Sequence, residues 1–428
     1  MWTEIYNTFD PSGVRNPENL KQWYVSRPGD FRAILAKHFS PSGISRPVLF
    51  GGHPSSGKTT ELFSFLNDLH ELGYFPIYIS LDLNLSNIQQ ANHLEVLFLI
   101  GATVFKAAQD ANLKPDRKRM ESLLNELQTV VHTHTENKSF KLDLDSILKS
   151  LSFIAGSFLP GGVATGALTS KTVENIRPFG FVSGTNIDTV KKLEVQPEIE
   201  SMVETLNLLL DDIKAKCKSP LALLVDGLDK VAPSVDEVLF TKPYLSRLNC
   251  HVAFAAPPTV FYSTKFSGTR NWFEVMPFPN IRLNHRDRND IDASGWAMLR
   301  EVVWKRLRTL RHDPETIIKQ VTLDVLIAGS SGLMRELISL MRSATVYADI
   351  AKRNFVDEID AKKAVASLRR DFEARLRPNT RAVLAQVKQT QQLSDDRLCD
   401  ELLFGNYILG FVNDDVWFDV HRVLLDRV

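Results

Sequence analysis

One octapeptide restricts this chain more than any other part of it: Gly52-His53-Pro54-Ser55-Ser56-Gly57-Lys58-Thr59 satisfies G-x-x-x-x-G-K-[ST] at every fixed position. The spacing has a chemical reason. Glycines let successive backbone N–H groups curl around phosphate oxygens, and a helix starting there presents its positive dipole end. Lys58 is then placed to reach β and γ phosphates, and Thr59, followed by Thr60, to offer a hydroxyl to magnesium. The motif carries weight only between a strand and a helix, and both are written around it. Pro47-Val48-Leu49-Phe50 is a short, wholly apolar run, as in a strand buried on both faces of a parallel sheet. Leu62, Phe65, Leu66 and Leu69 recur at helical spacing, and Gly73 stops that helix.

The pattern continues as strand, loop, helix, strand. Ile77-Tyr78-Ile79-Ser80-Leu81 is a second apolar run with Asp82 at its end, and such alternation implies a parallel sheet with right-handed crossovers. Helical patterns over about 93–111, 116–130 and 198–216 lead to a third buried run, Leu221-Ala222-Leu223-Leu224-Val225, closed by Asp226. An acid at that strand end lies at the carboxyl edge of the sheet, where ligands bind, and its expected role is to hold magnesium through water. The competing reading is an ordinary turn aspartate. Further strands are expected at 252–256 and 281–283, so the sheet has about five. The fold class is therefore α/β, a P-loop NTPase parallel sheet with appended helical parts.

Beyond residue 291 the strand signal disappears. Trp296, Leu299, Val303 and Leu307, then Leu333, Leu337, Leu340 and Ala344, trace apolar stripes of helical period, as in a separate helical lid. In the last fifty or so residues, Val383, Leu384 and Val387 form one short helix and 395–404 another with Ser394 as N-cap. The segments 407–411 and 416–420 flank Asn413-Asp414-Asp415, so two helices and a hairpin suggest a winged helix. The expected division is a helical lead-in at 1–45, broken at Arg27-Pro28-Gly29, and a P-loop core at 46–289 with a glycine-rich insert at about 131–195. A helical lid at 290–376 and a winged helix at 377–428 follow.

Composition narrows the partners. Lys plus Arg and Asp plus Glu each total 51, so no global field favours nucleic acid or an anionic membrane. The three cysteines, Cys217, Cys250 and Cys399, lie far apart with no CxxC pair, against a disulfide framework or zinc site and in keeping with a reducing cytoplasm. The N-terminus carries an acid early and lacks a secretory pattern. Residues 151–170 bear no charge, but Pro160-Gly161-Gly162, Gly156 and Gly166 dilute their apolarity, so a glycine-rich insert is expected there rather than a membrane span. His132 and His134, two apart in a polar linker, match no metal-site spacing.

Leu224-Val225-Asp226-Gly227-Leu228-Asp229 resembles the DGLD-type Walker B of STAND and NACHT ATPases, and the chain as a whole resembles AAA+/STAND P-loop ATPases of the Orc/Cdc6-like kind. That resemblance implies ATP with Mg2+ as the bound cofactor. It gives the base role to the displaced acid Asp229, because Gly227 stands where an acid usually follows the magnesium aspartate; a structural or surface acid is the other reading of Asp229. Ser330-Ser331-Gly332-Leu333-Met334-Arg335-Glu336-Leu337 looks like a sensor 2 helix, which makes Arg335 a reporter of hydrolysis, against a solvated helix arginine. Arg27 and Pro28 resemble the lead-in that closes over adenine, although a helix-breaking turn explains the same residues. Ala255-Ala256-Pro257-Pro258 departs from the family by offering no polar sensor 1 residue before Thr259, and the sequence designates no inter-subunit finger: Arg270, Arg286 and Arg288 are candidates, with a solvated face as the default reading.

The function implied is a slow ATPase acting as a molecular switch on a separate effector protein or through homo-oligomer assembly, in the manner of prokaryotic antiviral defence systems. Two alternatives accompany it. One is a DNA-binding ATPase, its winged helix and the run Arg369, Arg370, Arg375, Arg377 and Arg381 contacting the duplex. The other is a non-hydrolysing scaffold with nucleotide as a structural ligand.

Overall fold

A computed structural model describes the chain except for residues 13, 15–16, 30, 40–45, 86, 135–144, 146–195, 233–235, 395–396 and 413–414. The glycine-rich stretch 151–170 and nearly all of the expected insert therefore lie outside the described residues. The remainder packs as two compact units. One holds Met1–Phe31, Gly52–Glu61 and Pro277–Val428; the other holds Arg32–Gly51 and Leu62–Met276.

The second unit is built on strands β1 (Val48–Gly51), β2 (Phe75–Ser80), β3 (Leu221–Asp226), β4 (His251–Ala256) and β5 (Glu274–Pro277). They form one sheet in the order β2-β3-β4-β1-β5. The β1–β4, β2–β3 and β3–β4 pairs are parallel, so helices must carry the chain between them. β1, β2 and β3 are buried along their whole length, which is why they are written in nearly unbroken apolar residues. The helix His93–Asp110 is buried on almost every face and opens with a reciprocal capping box between Asn92 and Glu95. Arg117–His134 supplies Met120, Leu123 and Leu127 to the same core, and Gln196–Cys217 supplies Leu206, Leu209 and Ile213.

The fifth strand is a correction to the sequence reading. It lies at Glu274–Pro277, whereas Ile281 and Leu283, expected as strand, sit in the helical core of the other unit. The Ile-Arg-Leu alternation mimics a strand period. It instead serves an irregular segment that turns two apolar side chains into a core and leaves Arg282 to pair with Asp292 at 3.1 Å.

That core belongs to the first unit. Helices Ala293–Thr309, Gln320–Ser330, Met334–Ile350 and Glu358–Glu373 enclose Leu299, Val303, Leu307, Leu337, Leu340 and Ala344 of the stripes read from the sequence, whereas Leu333 packs instead with Leu409, Phe411 and Trp417. Asp292 caps the first of them, accepting from the Ser294 amide at 3.1 Å and the Gly295 amide at 3.3 Å. A helix that no periodicity announced, Trp2–Thr8, also joins this core: Ile5 and Phe9 are both 0% exposed within it.

The C-terminal part has the expected winged-helix elements. Helices Pro378–Thr390 and Arg397–Phe404 precede an antiparallel hairpin of β6 (Ile408–Val412) and β7 (Val416–Val420), with Val412 opposite Val416. Residues 395–396, where the second helix was expected to begin, lie outside the described residues, as do Asn413 and Asp414. The proposed cap Ser394 has its hydroxyl 3.3 Å from the Cys399 thiol. Among the described residues no helix is long and apolar enough to cross a membrane.

Candidate functional site

The phosphate-type loop belongs to the first unit. It leads into the helix Lys58–Glu71, and Lys58 is buried with its ammonium donating to the Gly52 and His53 carbonyls, each at 2.7 Å. Ser56 closes the same curl, its amide and hydroxyl donating to the His53 carbonyl at 3.2 and 2.7 Å. Ser55 and Gly57 take positive φ values of 72° and 101°, which bend successive amides to one side. Gly52 is required by close approach. A Cβ there would lie 2.8 Å from the Phe278 Cβ and 3.0 Å from its carbonyl oxygen.

The loop's variable residues are held from outside the loop. His53 is 1% exposed; the Gly410 amide of β6 donates to its Nε2 at 2.9 Å, which leaves Nδ1 as the protonated nitrogen, donating to the Leu403 carbonyl at 3.1 Å. Burial, and then the Lys58 charge, push the imidazole pKa down to about 3, so the ring is neutral at ordinary pH. Asn406 donates to the Pro54 carbonyl at 3.1 Å, and the Arg335 amide donates to the Ser55 carbonyl at 3.1 Å. Three consecutive loop residues are thus tied to the winged-helix elements and to the start of the Met334–Ile350 helix.

Arg27 reaches the same loop. Its guanidinium donates to the Ser56 carbonyl at 2.6 Å and to the Pro279 carbonyl, and its centre lies 4.3 Å from the Phe278 ring centroid. Enclosure lowers its pKa to about 10, against the opposing pull of Glu61 and Tyr24, and it stays charged at neutral pH. Arg27, read from the sequence as part of a lead-in that closes over adenine, contacts the loop's own backbone here. The Arg335 side chain donates through Nε to the Pro11 carbonyl at 3.1 Å, so its main chain touches the loop while its guanidinium serves the N-terminal segment. Next to it, Glu336 Oε2 lies 2.7 Å from Nε2 of His421, a fully buried ring stacked on Phe372 at 4.6 Å. Thr59 and Thr60 follow Lys58 in the first turn of their helix, both half-buried.

The acidic residues belong to the second unit. Asp226 ends β3 at 1% exposure, and the Tyr78 hydroxyl of β2 donates to its Oδ2 at 2.6 Å. Gly227 follows at φ 107°, and a Cβ on it would come within 2.9 Å of the Asp82 amide nitrogen. Its identity is thus a backbone requirement. Asp229 is 6% exposed in the single turn Leu228–Lys230, whose Lys230 pairs with Asp82; the Ser80 hydroxyl also donates to Asp82, at 2.7 Å. Thr259, the first polar residue after β4, is fully buried in the turn Thr259–Tyr262.

Two of the arginines considered as fingers are engaged within their own unit. Arg288 binds both oxygens of Asp419 at 2.9 and 2.7 Å, and this carboxylate raises its pKa; Arg286 donates to Gln391 at 3.1 Å. Arg270 lies over the Phe261 ring at 5.8 Å in the other unit. Of the basic run, Arg369 donates to the Val423 carbonyl at 3.1 Å and Arg381 to the Arg427 carbonyl at 2.9 Å.

The residues present fit a magnesium-bound triphosphate. The loop presents curled amides over a glycine that no larger residue could replace, and its lysine rests on carbonyls it can exchange for phosphate oxygens. Among the described residues no group of three or more His, Cys, Asp or Glu side chains is placed to hold a metal ion. Sequence reasoning missed Tyr78, Asn406 and the partners of His53, because each depends on long-range juxtaposition.

No protein-family model matches the sequence, and no curated protein matches it. Among solved structures the chain is similar to the Aeropyrum pernix ORC2 protein in ADPNP-ADP complexes, at 12% identity and a TM-score of 0.42 over 98% of this chain and 95% of that one. It is similar to Cdc6p from Pyrobaculum aerophilum at 10% identity and a TM-score of 0.38, over 98% and 94%. Thermotoga maritima RuvB, a Holliday junction branch migration motor, matches at 11% identity and a TM-score of 0.35, over 95% and 96%. The sheet and helices themselves place the chain in the α/β class, with a P-loop after β1, a helical region and a C-terminal winged helix, the architecture that the Orc/Cdc6-like resemblance implied.

Proposed function

We propose that the chain binds and slowly hydrolyses ATP and works as a switch that acts on a partner protein or on its own assembly. The observation that carries this reading is the pinning of the phosphate loop: His53, Pro54 and Ser55 bond to Leu403, Gly410, Asn406 and Arg335, while Lys58 holds the loop's own carbonyls. A triphosphate entering the curl takes Lys58 away from the Gly52 and His53 carbonyls. Any shift of the loop that follows is transmitted to the winged-helix elements through hydrogen bonds already in place. By linkage, a winged helix that holds the loop in one shape alters nucleotide affinity by the same factor that nucleotide alters its docking.

The residue roles proposed are Lys58 on the β and γ phosphates, the amides of His53 and of Ser55 to Thr60 around them with Pro54 shaping the loop between, and Thr59 and Asp226 as the magnesium anchors. Magnesium, when bound, neutralises phosphate charge. Asp229 is the proposed base that takes a proton from attacking water. Arg335 is the proposed reporter; its guanidinium would have to leave the Pro11 carbonyl to act so.

Retention of labelled ATP and the melting temperature with and without Mg-ATP, measured for wild type and Lys58→Ala, test the reading. Wild type should retain nucleotide and melt higher, with about 2.7 kcal/mol of added stability at a hundredfold excess over Kd. Lys58→Ala should show neither effect. Release of labelled phosphate by wild type, lost in Asp229→Asn, separates hydrolysis from a purely structural nucleotide; a wild type indifferent to Mg-ATP overturns the whole reading.

A further inference from the structure

The magnesium aspartate of the proposed site is itself oriented by a buried phenol. β2 and β3 run parallel with Tyr78 beside Leu224 and Ser80 beside Asp226, so Tyr78 and Asp226 are offset by two residues on neighbouring strands. With a side-chain period of two, that offset keeps both on one face of the sheet. The Tyr78 hydroxyl reaches Asp226 Oδ2 at 2.6 Å, within the short range typical of O–H donation to an ionised carboxylate. The donor is rigid: Tyr78 is 2% exposed, and its ring meets Phe63 edge-on at 5.4 Å and 89°.

From this juxtaposition we infer that Tyr78 is a positioning residue for divalent-cation binding, holding the Asp226 carboxylate in the rotation needed to take the cation's water. The terminal torsion of an aspartate is broad and two-fold, so a carboxylate at a strand end turns unless something fixes it. Tyr78 fixes it before any ligand arrives. An ionised carboxylate has about four lone-pair positions, so one bond from Tyr78 is compatible with further contacts to a cation's water shell. Partners of this outer kind typically carry 10–100-fold of metal affinity. Tyr78 is assigned neither proton transfer nor contact with nucleotide.

The inference rests on the ATP reading, and the test separates the two. The protein, saturated with ATP, is titrated with Mn2+ and free metal is followed by electron paramagnetic resonance; ATP affinity is measured separately in EDTA. Tyr78→Phe keeps the ring and removes only the hydroxyl. It should raise the apparent Mn2+ Kd about 10–100-fold while metal-free ATP affinity stays within about twofold. Asp226→Asn should weaken Mn2+ at least as much. Phe63→Leu, which removes the ring that holds Tyr78 edge-on and keeps the hydroxyl, should weaken Mn2+ less than Tyr78→Phe does. An unchanged Mn2+ Kd in Tyr78→Phe overturns the assignment and leaves the ATP reading standing. Wild type that binds neither ATP nor Mn2+ overturns both.

Discussion

His53 occupies a position the loop motif leaves free, yet it is among the most constrained side chains in its unit. Both ring nitrogens are bonded, and the ring is compatible only with the neutral state. Its folded pKa, about 3, lies below the unfolded value of about 6.5. Below pH 6.5 the unfolded chain therefore takes up a proton that the folded one refuses. Stability is full above about 6.5 and falls as pH drops toward 3, by roughly 1.4 kcal/mol per pH unit for one such group. His93, lowered to about 4 mainly by burial, acts in the same direction. Urea unfolding at pH 7 and pH 5 should show this decline in wild type, and His53→Gln should have a slope shallower by about one proton. His53→Gln should also be less stable at pH 7 by about 1–3 kcal/mol, because the Leu403 carbonyl or the Gly410 amide loses a well-aligned partner. Equal slopes for the two proteins would remove His53 from the acid response.

At the level of elements, the turn after β3 explains a departure that looks in sequence like a missing catalytic acid. Gly227 stands at a φ that side chains avoid, with the Asp82 backbone where a Cβ would go. Restoring an acid should therefore fail. Gly227→Glu is expected to lower stability by about 1–3 kcal/mol and to abolish rather than enhance turnover, measured by thermal melting and phosphate release. A stable, faster variant would mean the turn can adopt another conformation. The same comparison shows which elements were legible. β1, β2, β3 and β4 and the two long stripes announced themselves because strands buried on both faces are continuous apolar runs and amphipathic helices carry a period. β5 did not, since Glu274–Pro277 offers only Val275 and Met276 between a charge and a proline, while Ile281 and Leu283 carry a period that belongs to a different core. The Asp226 strand end was legible as a ligand position. Its Tyr78 partner was not, because strand order and register are tertiary facts.

At the scale of the molecule, the first unit gathers segments from both ends of the chain around the phosphate loop. If the loop and the winged-helix elements are coupled as proposed, backbone amides of 403–410 should exchange hydrogen at different rates with and without Mg-ATP, and Lys58→Ala should remove the difference. Identical exchange in all states would separate nucleotide binding from the C-terminal elements. Such coupling was not readable in advance. The octapeptide declares its own chemistry in eight neighbouring residues, whereas the bond between His53 and Gly410 spans 357 positions and leaves no periodic trace.

The buried N-terminal helix sets an order of events during synthesis. Ile5 and Phe9 find their places only among helices that begin near residue 293, and the Trp2 indole donates to the Arg353 carbonyl across 351 positions. At about 5–20 residues per second, a ribosome needs on the order of tens of seconds to make that stretch. Throughout that interval Ile5 and Phe9 have no native shelter, so this helix docks only after the helices beyond residue 293 have been made.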